Sequence, residues 1–417
     1  MSTIRFIHAA DLHLDSPFTG LRALNPAIAG ELQESTFLAF NRIIDLCIEH
    51  RVDFLLVAGD VYDGADRSVK AQIRFGEGLS RLGEAGISTY VIHGNHDPLD
   101  GWRAQLGKHP RVHIFGEKME RVSHHRDGVP IAAIYGMSYG HRDVRENLSR
   151  QYQRQLDDPY AIGLLHANVG GDTGHESYAP CSVQDLLAAN LDYWALGHIH
   201  KHSILQGHDP TIVYAGNPQG RHPGETGQHG CVLVEAGADR RNELTFLETD
   251  GIRWIEREIS IAGLETEQEL LDVIEDTVRA EQEGGRNLVC RLRLTGRGPL
   301  HKSLREDRLV DLEQSLRDGL TLGRPFAWID QMKDLTRPDI DVESRRLGQD
   351  FVGDLLRIVD DHRSDPALRD GLLAELNELF DHRVGRKYLA GLSDEQVQLV
   401  LDRAETLCLD LLVEDTD

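Results

Sequence analysis

Five short segments of this 417-residue chain end an apolar run on residue types that bind metal ions. They read IRFIHAADLH (Ile4 to His13), FLLVAGDVYD (Phe54 to Asp63), YVIHGNHD (Tyr90 to Asp97), IGLLH (Ile162 to His166) and YWALGHIH (Tyr193 to His200). Together they present Asp11, His13, Asp60, Asn95, His166, His198 and His200. Oxygen and imidazole donors without thiolates suit manganese, iron, zinc or magnesium in a hydrolytic centre, not a Cys-rich structural zinc site. The set is too large for one tetrahedral ion and suits two divalent ions sharing a bridging carboxylate. Two ions roughly 3.5 to 4 Å apart can activate water at neutral pH and clamp the attacking and leaving oxygens of a phosphodiester. The chemistry predicted is phosphoester hydrolysis.

Elements that could hold such donors follow from the periodicities. A short run of β-branched or leucine-rich residues stopping at Asp, Asn or His reads as a buried strand delivering its last residue to a sheet edge. Between these strands, Ala27 to Glu49 reads as a helix, with Leu38, Ile43, Ile44 and Leu46 spaced for burial, and Arg67 to Gly83 reads likewise. Alternating strand and helix predicts an α/β sandwich of two mixed sheets with helices outside, completed by strands at Thr211 to Tyr214 and Gly230 to Glu235. His198 and His200 stand two apart, the spacing that puts both side chains on one side of a strand. Taken singly these residues are weak signals: a lone histidine such as His166 is usually a packed core or surface residue, and Asp63 reads equally well as a turn cap.

The motifs DxH, GDxxD, GNHD, a lone His and GHxH occur in order between Asp11 and His200, and in this the chain resembles the calcineurin-like metallophosphoesterases. The resemblance implies a four-layer β-sandwich flanked by helices. It implies one ion held by Asp11, His13, Asp60 and His200, and a second by Asp60, Asn95, His166 and His198, with Asp60 as the bridge. His96 would be the general acid that protonates the leaving oxygen, oriented by Asp97; an imidazole suits that task because it titrates near neutral pH. Asp63 would support the ligands from behind. FIHAADLHLDSPF and YAGNPQGRHPGE (Tyr214 to Glu225) resemble the YhaO-type branch of the SbcD-like DNA repair exonucleases. That implies DNA as substrate, Mn2+ as the metal with Mg2+, Fe2+ or Zn2+ as alternatives, an SMC-like ATPase as partner, and a homodimer. Gly216 to His222 stands where the family has a Pro-Gly-Ser loop but reads Gly-Asn-Pro, so Arg221 and His222 are either phosphate contacts or ordinary loop residues. Protein Ser/Thr phosphatases of this superfamily carry GDxVDRG and RGNHE, whereas here Gly64 and Ala65 follow Asp63 and His93 precedes Gly94. A small-nucleotide or cyclic-nucleotide phosphodiesterase is the alternative, but it leaves the long C-terminal half without a purpose.

Length and a 40% hydrophobic content predict two or three domains. The sandwich is expected over residues 1–245. A small α+β capping domain is expected over 251–298, as strand Trp254 to Ile261, helix Thr266 to Glu283 opened by a Thr266/Glu269 capping box, and strand Leu288 to Thr295. Residues 299–417 are expected to be mostly helical, with apolar stripes in Ser344 to His362, Pro366 to Arg383 and Asp394 to Val413. Those stripes serve either internal packing or, as the resemblance implies, docking of the ATPase coiled coil. The net charge is −24, of which −8 falls up to Arg240 and −16 beyond it. A naked DNA-binding surface needs a basic patch, so the acidic excess reads as a solvated surface, relieved by ions at the site and by the strip Arg142, Arg145, Arg150 and Arg154. Five scattered cysteines without a CxxC, no signal peptide and no membrane span predict a cytoplasmic protein with reduced thiols.

Overall fold

A computed structural model describes residues 3–16, 25–64, 68–101, 109–171, 178–282, 284–304, 308–381 and 392–412. The expected helix ends Arg67, Glu283, Arg383 and Val413 lie outside the described residues. The chain divides into two compact units: Met1–Ile255, Gln282–Cys290 and Gly323–Asp330 form the first, and Glu256–Glu281, Arg291–Leu322 and Gln331–Asp417 the second.

The first unit runs β1 (Ile4–Ala9), α1 (Pro26–Glu49), β2 (Phe54–Ala58), α2 (Val69–Glu84), β3 (Ser88–Ile92), β4 (Val112–Ile114), β5 (Glu120–Arg126), β6 (Val129–Gly136), β7 (Ala161–His166), α3 (Val183–Ala188), β8 (Tyr193–Gly197), β9 (Ser203–Gly207), β10 (Thr211–Tyr214), β11 (Gly230–Ala236) and β12 (Asn242–Glu248). One six-stranded sheet has the order β12-β11-β1-β2-β3-β4 and the other β5-β6-β7-β8-β10-β9. Both are mixed: β1, β2, β3 and β4 are parallel neighbours with β11 antiparallel to β1, and β6, β7, β8 and β10 are parallel neighbours with antiparallel strands at the edges. The predicted sandwich of two mixed sheets is what the chain forms.

Alternation along the strands sorts the core. In the first sheet Phe6, Phe54, Leu56 and Ile92 join Ile134, Ile162, Leu164, Tyr193 and Val213 of the second sheet in one buried cluster between the sheets. Their sequence neighbours Ile7, Leu55, Val57 and Val91 face the other way, onto Phe37, Phe40, Ile43 and Ile44 of α1 and Phe75 and Leu79 of α2. On the far side of the second sheet, Tyr135, Leu165, Trp194 and Leu196 pack with Tyr152, Leu186 and Leu191. The helices begin where capping chemistry allows: Asn25 accepts from the main-chain N–H of Ala27 and Ile28 ahead of Pro26, and Ser68 accepts from Ala71.

Further along come β13 (Ile252–Ser260), α4 (Glu267–Glu281), β14 (Asn287–Thr295), α5 (Leu300–Ser303), α6 (Arg308–Thr321) and β15 (Ala327–Asp334). These strands form a sheet of order β13-β14-β15, so the expected β-α-β unit gains a third strand. A run of helices follows: α7 (Val342–Arg346), α8 (Phe351–Ser364), α9 (Pro366–Asp381) and α10 (Asp394–Leu412). Leu356 and Val359 of α8 are buried, as are Val397, Leu401 and Leu409 of α10, and Arg363 joins α8 to Asp402 and Glu405 of α10 at 2.6 Å each. Leu347, Phe351 and Leu411 stay exposed, at 85%, 70% and 71%. Among the described residues no helix is long and apolar enough to cross a membrane. All five cysteines are free thiols.

Candidate metal centre

Because β1, β2 and β3 run parallel, their C-terminal ends lie side by side, and so do those of β7 and β8. Loops leaving that edge of an α/β sheet are where binding residues gather. Asp11 and His13 follow β1, Asp60 follows β2, Asn95 follows β3, His166 ends β7, and His198 and His200 follow β8. Asp11, His13 and His200 present donor atoms that all lie within 4.8 Å of one another, and Asp11, Asp60 and His166 form a second such group. Asn95 Oδ1 lies 3.0 Å from His166 Nε2. Asp60 Oδ2 lies 3.4 Å from His166 Nε2 and 3.8 Å from His13 Nε2, between the two groups.

His198 departs from expectation. The strand ends at Gly197, so His198 and His200 sit on a loop and strand alternation does not aim them. His198 has φ +96°, its main-chain N–H points at both Asp11 oxygens (3.1 Å each), and its ring packs edge-on to His166 and Tyr178, outside the two donor groups.

The partners of each imidazole define which nitrogen turns toward the centre. His166 Nδ1 donates to the Ala58 carbonyl (2.9 Å), which turns Nε2 toward Asn95 Oδ1 and Asp60 Oδ2. His200 Nδ1 donates to Glu225 (2.6 Å), and His13 Nδ1 lies 3.1 Å from Asp63 Oδ1. The Nε2 atoms of His13 and His200 then face each other at 3.1 Å. At that distance the two nitrogens can share a proton or a cation, and with the Asp11 carboxylate alongside, the donor set fits a divalent ion.

The charges agree with that fit. Burial would raise the Asp60 carboxyl, but His166, His13 and His96 hold it well below the usual carboxylate range. Burial raises Asp11. Burial alone would lower His166, but Asp60 and Asp11 pull it up to about 9, so the buried carboxylates demand a positive partner. Burial and the Arg221 guanidinium hold His13 down at about 3, which keeps its lone pair available.

The backbone is bent to make this arrangement. Asp11, His13 and Asp60 hold φ of +52°, +41° and +50°, in the left-handed region that costs a non-glycine residue of order 1 to 3 kcal/mol each. The motif glycines answer to crowding around His166. A Cβ on Gly94 would stand 2.4 Å from Asp60 Oδ1 and 2.7 Å from His166 Nε2, and one on Gly197 would meet the Ala58 carbonyl at 1.9 Å.

His96 lies beside the first donor group, its ring edge-on to His13 with centroids 4.9 Å apart. Its expected orienting partner, Asp97, is fully buried and accepts from His93 Nδ1 (2.7 Å), Gly94 N (2.9 Å) and Val61 N (3.0 Å), tying the GNHD turn to the loop after β2. Asp63 is the residue that faces His96 Nδ1, through its carbonyl at 3.2 Å and a carboxylate oxygen at 3.9 Å. Burial would raise the Asp63 carboxyl, but His13 and Arg221 hold it at about 2. Arg221 is turned onto Asp63 and Ser16. Sequence reading missed Glu225, the acceptor for His200; its contact spans 25 residues, with no local spacing to reveal it. In the expected basic strip, Arg145, Arg150 and Arg154 are each paired, with Asp143, Asp185 and Asp192.

Comparison with known proteins agrees with this geometry. Residues 4–202 match the calcineurin-like phosphoesterase family, and residues 254–337 match the middle domain of metallophosphoesterase YhaO. The chain is 35% identical to the uncharacterized metallophosphoesterase YhaO of Bacillus subtilis over 410 residues, 98% of this chain and 97% of that protein. It is 28% identical to the DNA double-strand break repair protein Mre11 of Sulfurisphaera tokodaii over 225 residues, covering 52% of this chain and 54% of that one. Against the SbcD component of the SbcCD nuclease of Bacillus subtilis the identity is 25% over 267 residues, covering 55% and 66%. A buried two-group donor site on a mixed-sheet sandwich, matched along almost its whole length, places the chain: it belongs to the calcineurin-like metallophosphoesterases of the YhaO type.

Proposed function

We propose that the protein is a metal-dependent DNA exonuclease that hydrolyses phosphodiesters with two divalent ions, Mn2+ foremost, and works in DNA repair beside an SMC-like ATPase. The observation that carries the reading is a pair of donor groups that share Asp11, with Asp60 a member of one and 3.8 Å from His13 of the other. Asp11, His13, Asp60 and His200 would hold one ion and Asp60, Asn95, His166 and His198 the other. Divalent ions there supply positive charge for the phosphoryl oxygens and lower the pKa of water. The chain's own residues do the rest. Asp60, buried between the groups, keeps the two positions in register. His96, its Nδ1–H on the Asp63 carbonyl, presents Nε2 as the atom that delivers a proton to the departing deoxyribose oxygen. Asp63 orients that ring, and Asp97 fixes the turn that carries it.

DNA as substrate is supported by the likeness of the first half to proteins named for double-strand break repair and for the SbcCD nuclease. Docking of a coiled coil is supported by Leu347, Phe351 and Leu411, exposed apolar side chains at the helices of the second unit. The test is hydrolysis of end-labelled linear DNA, single- and double-stranded, with Mn2+, beside a small cyclic phosphodiester and an Asp60→Ala control. The expected result is metal-dependent shortening of DNA that the control abolishes. Turnover of the cyclic diester with DNA left intact, with or without an ATPase partner, overturns the nuclease reading in favour of a small-nucleotide phosphodiesterase.

A further inference from the structure

The histidines of the two donor groups are backed differently. His166 rests on a neutral main-chain carbonyl, that of Ala58. His200 and His13 have carboxylates behind them, Glu225 and Asp63, and one loop reaches both. Gly216 opens that loop at φ +79°, pressed so close that a Cβ would stand 2.7 Å from the His200 carbonyl. Asn217 N then donates to the same carbonyl at 3.0 Å, pinning the loop to the residue it serves. Glu225, whose side chain is only 8% exposed, closes it. One of its oxygens takes His200 Nδ1 at 2.6 Å and His222 Nε2 at 3.1 Å; the other takes Asn217 Nδ2 at 2.9 Å and the Arg221 main-chain N–H at 2.6 Å. That last bond sets the base of the Arg221 side chain, whose guanidinium holds Asp63 against His13.

We infer that residues 216–225 act as a bracket around the Asp11, His13 and His200 donor group, with Arg221 holding Asp63 in place, and that Glu225 is a positioning residue that makes it the tighter of the two ion positions. A carboxylate hydrogen-bonded to the far nitrogen of an imidazole fixes its tautomer and ring angle and makes the near nitrogen a stronger donor, and losing such a partner typically weakens metal binding 10- to 100-fold. A carbonyl orients the ring but brings no charge, so the His166 position gains less. The inference rests on the two-ion reading above.

Mn2+ titration of the full chain, followed by electron paramagnetic resonance and calorimetry, tests it. The wild type is expected to bind two equivalents with distinct affinities. Glu225→Gln, which keeps an acceptor and removes the charge, should weaken the tighter equivalent by about 10-fold, and Glu225→Ala by about 100-fold. The weaker equivalent should stay where it was. Asp63→Asn should shift the same equivalent, because it removes the charge behind His13. Glu225 variants that titrate like wild type, or that weaken both equivalents alike while the metal-free melting temperature falls, reduce the loop to a structural role and overturn the inference. A wild type that binds fewer than two equivalents removes the two-ion reading itself.

Discussion

The two units of this protein differ in what their buried charges do. In the first, Asp11, Asp60 and His166 are buried with almost no solvent contact, the backbone being strained at Asp11 and Asp60. In the second, charged side chains pair near the surface, as Arg257 does with Glu281 and Arg346 with Glu343 and Asp360, while large apolar side chains such as Phe351 stand in solvent. Burying unlike charges without a partner ion is expensive, so a fold does it where the charges have work to do. Surface pairs contribute little, typically 0 to about 1 kcal/mol. The contrast separates the place where a substitution should abolish chemistry from the place where it should change contacts with other molecules.

The largest effect should come from Asp60→Ala. Removing the carboxylate between the donor groups should empty or disorder both ion positions and lower turnover by roughly 1000-fold or more; a variant that keeps two Mn2+ by elemental analysis contradicts the bridging role. Next, His96→Asn should slow hydrolysis about 100- to 10,000-fold with the Mn2+ content unchanged, and activity near wild type would remove His96 as the acid. A smaller effect concerns the core beside the site. His8 is wholly buried, with Nε2–H on the Leu196 carbonyl and Nδ1 accepting from Tyr193 O–H, and burial lowers it to about 3. Its folded value lies below the unfolded 6.5, so the unfolded chain takes up the proton first. The stability this contributes is present above pH 6.5 and is lost as pH falls toward 3, by about 1.4 kcal/mol per pH unit. Urea unfolding of metal-free wild type and His8→Gln between about pH 7 and 4 should show the shallower slope in the variant; equal slopes reject it. The smallest effect is expected at Phe351→Ser, which should leave stability within about 0.5 kcal/mol. A larger loss would mean that this side chain is packed in the folded protein and that the contrast between the units is overdrawn.

Much of the site was legible because strand ends are written in local sequence. Ile4 to Ala9, Phe54 to Ala58 and Ala161 to His166 are apolar runs that stop where the chain turns toward the donors, and sheet parallelism does the gathering. What stayed hidden is what depends on distant contacts or on backbone angles. The GHxH spacing suggests a strand, yet His198 turns the chain at φ +96°, and the enrichment of histidine at positive φ does not single out one histidine in a sequence. Asp97 looked like the partner of its neighbour His96, but the turn directs its carboxylate to Val61 and His93. Glu225 reaches His200 only because Gly216 folds its loop back. The strand Ala327–Asp334 escaped notice because buried residues fill only its first half before polar and charged ones interrupt, leaving no clear period.

The donors come from both sheets: Asp11, His13, Asp60 and Asn95 leave the one containing β1, and His166, His198 and His200 the one containing β7. The distance between those sheets is set by the layer of side chains between them, where Phe6 stacks on Phe54 with centroids 5.1 Å apart and meets the edge of Tyr193 at 5.2 Å. This aromatic layer is therefore a spacer gauge for the metal centre. Shaving one ring from it should leave a cavity or let the sheets settle closer, and either would shift the donors of one sheet against those of the other.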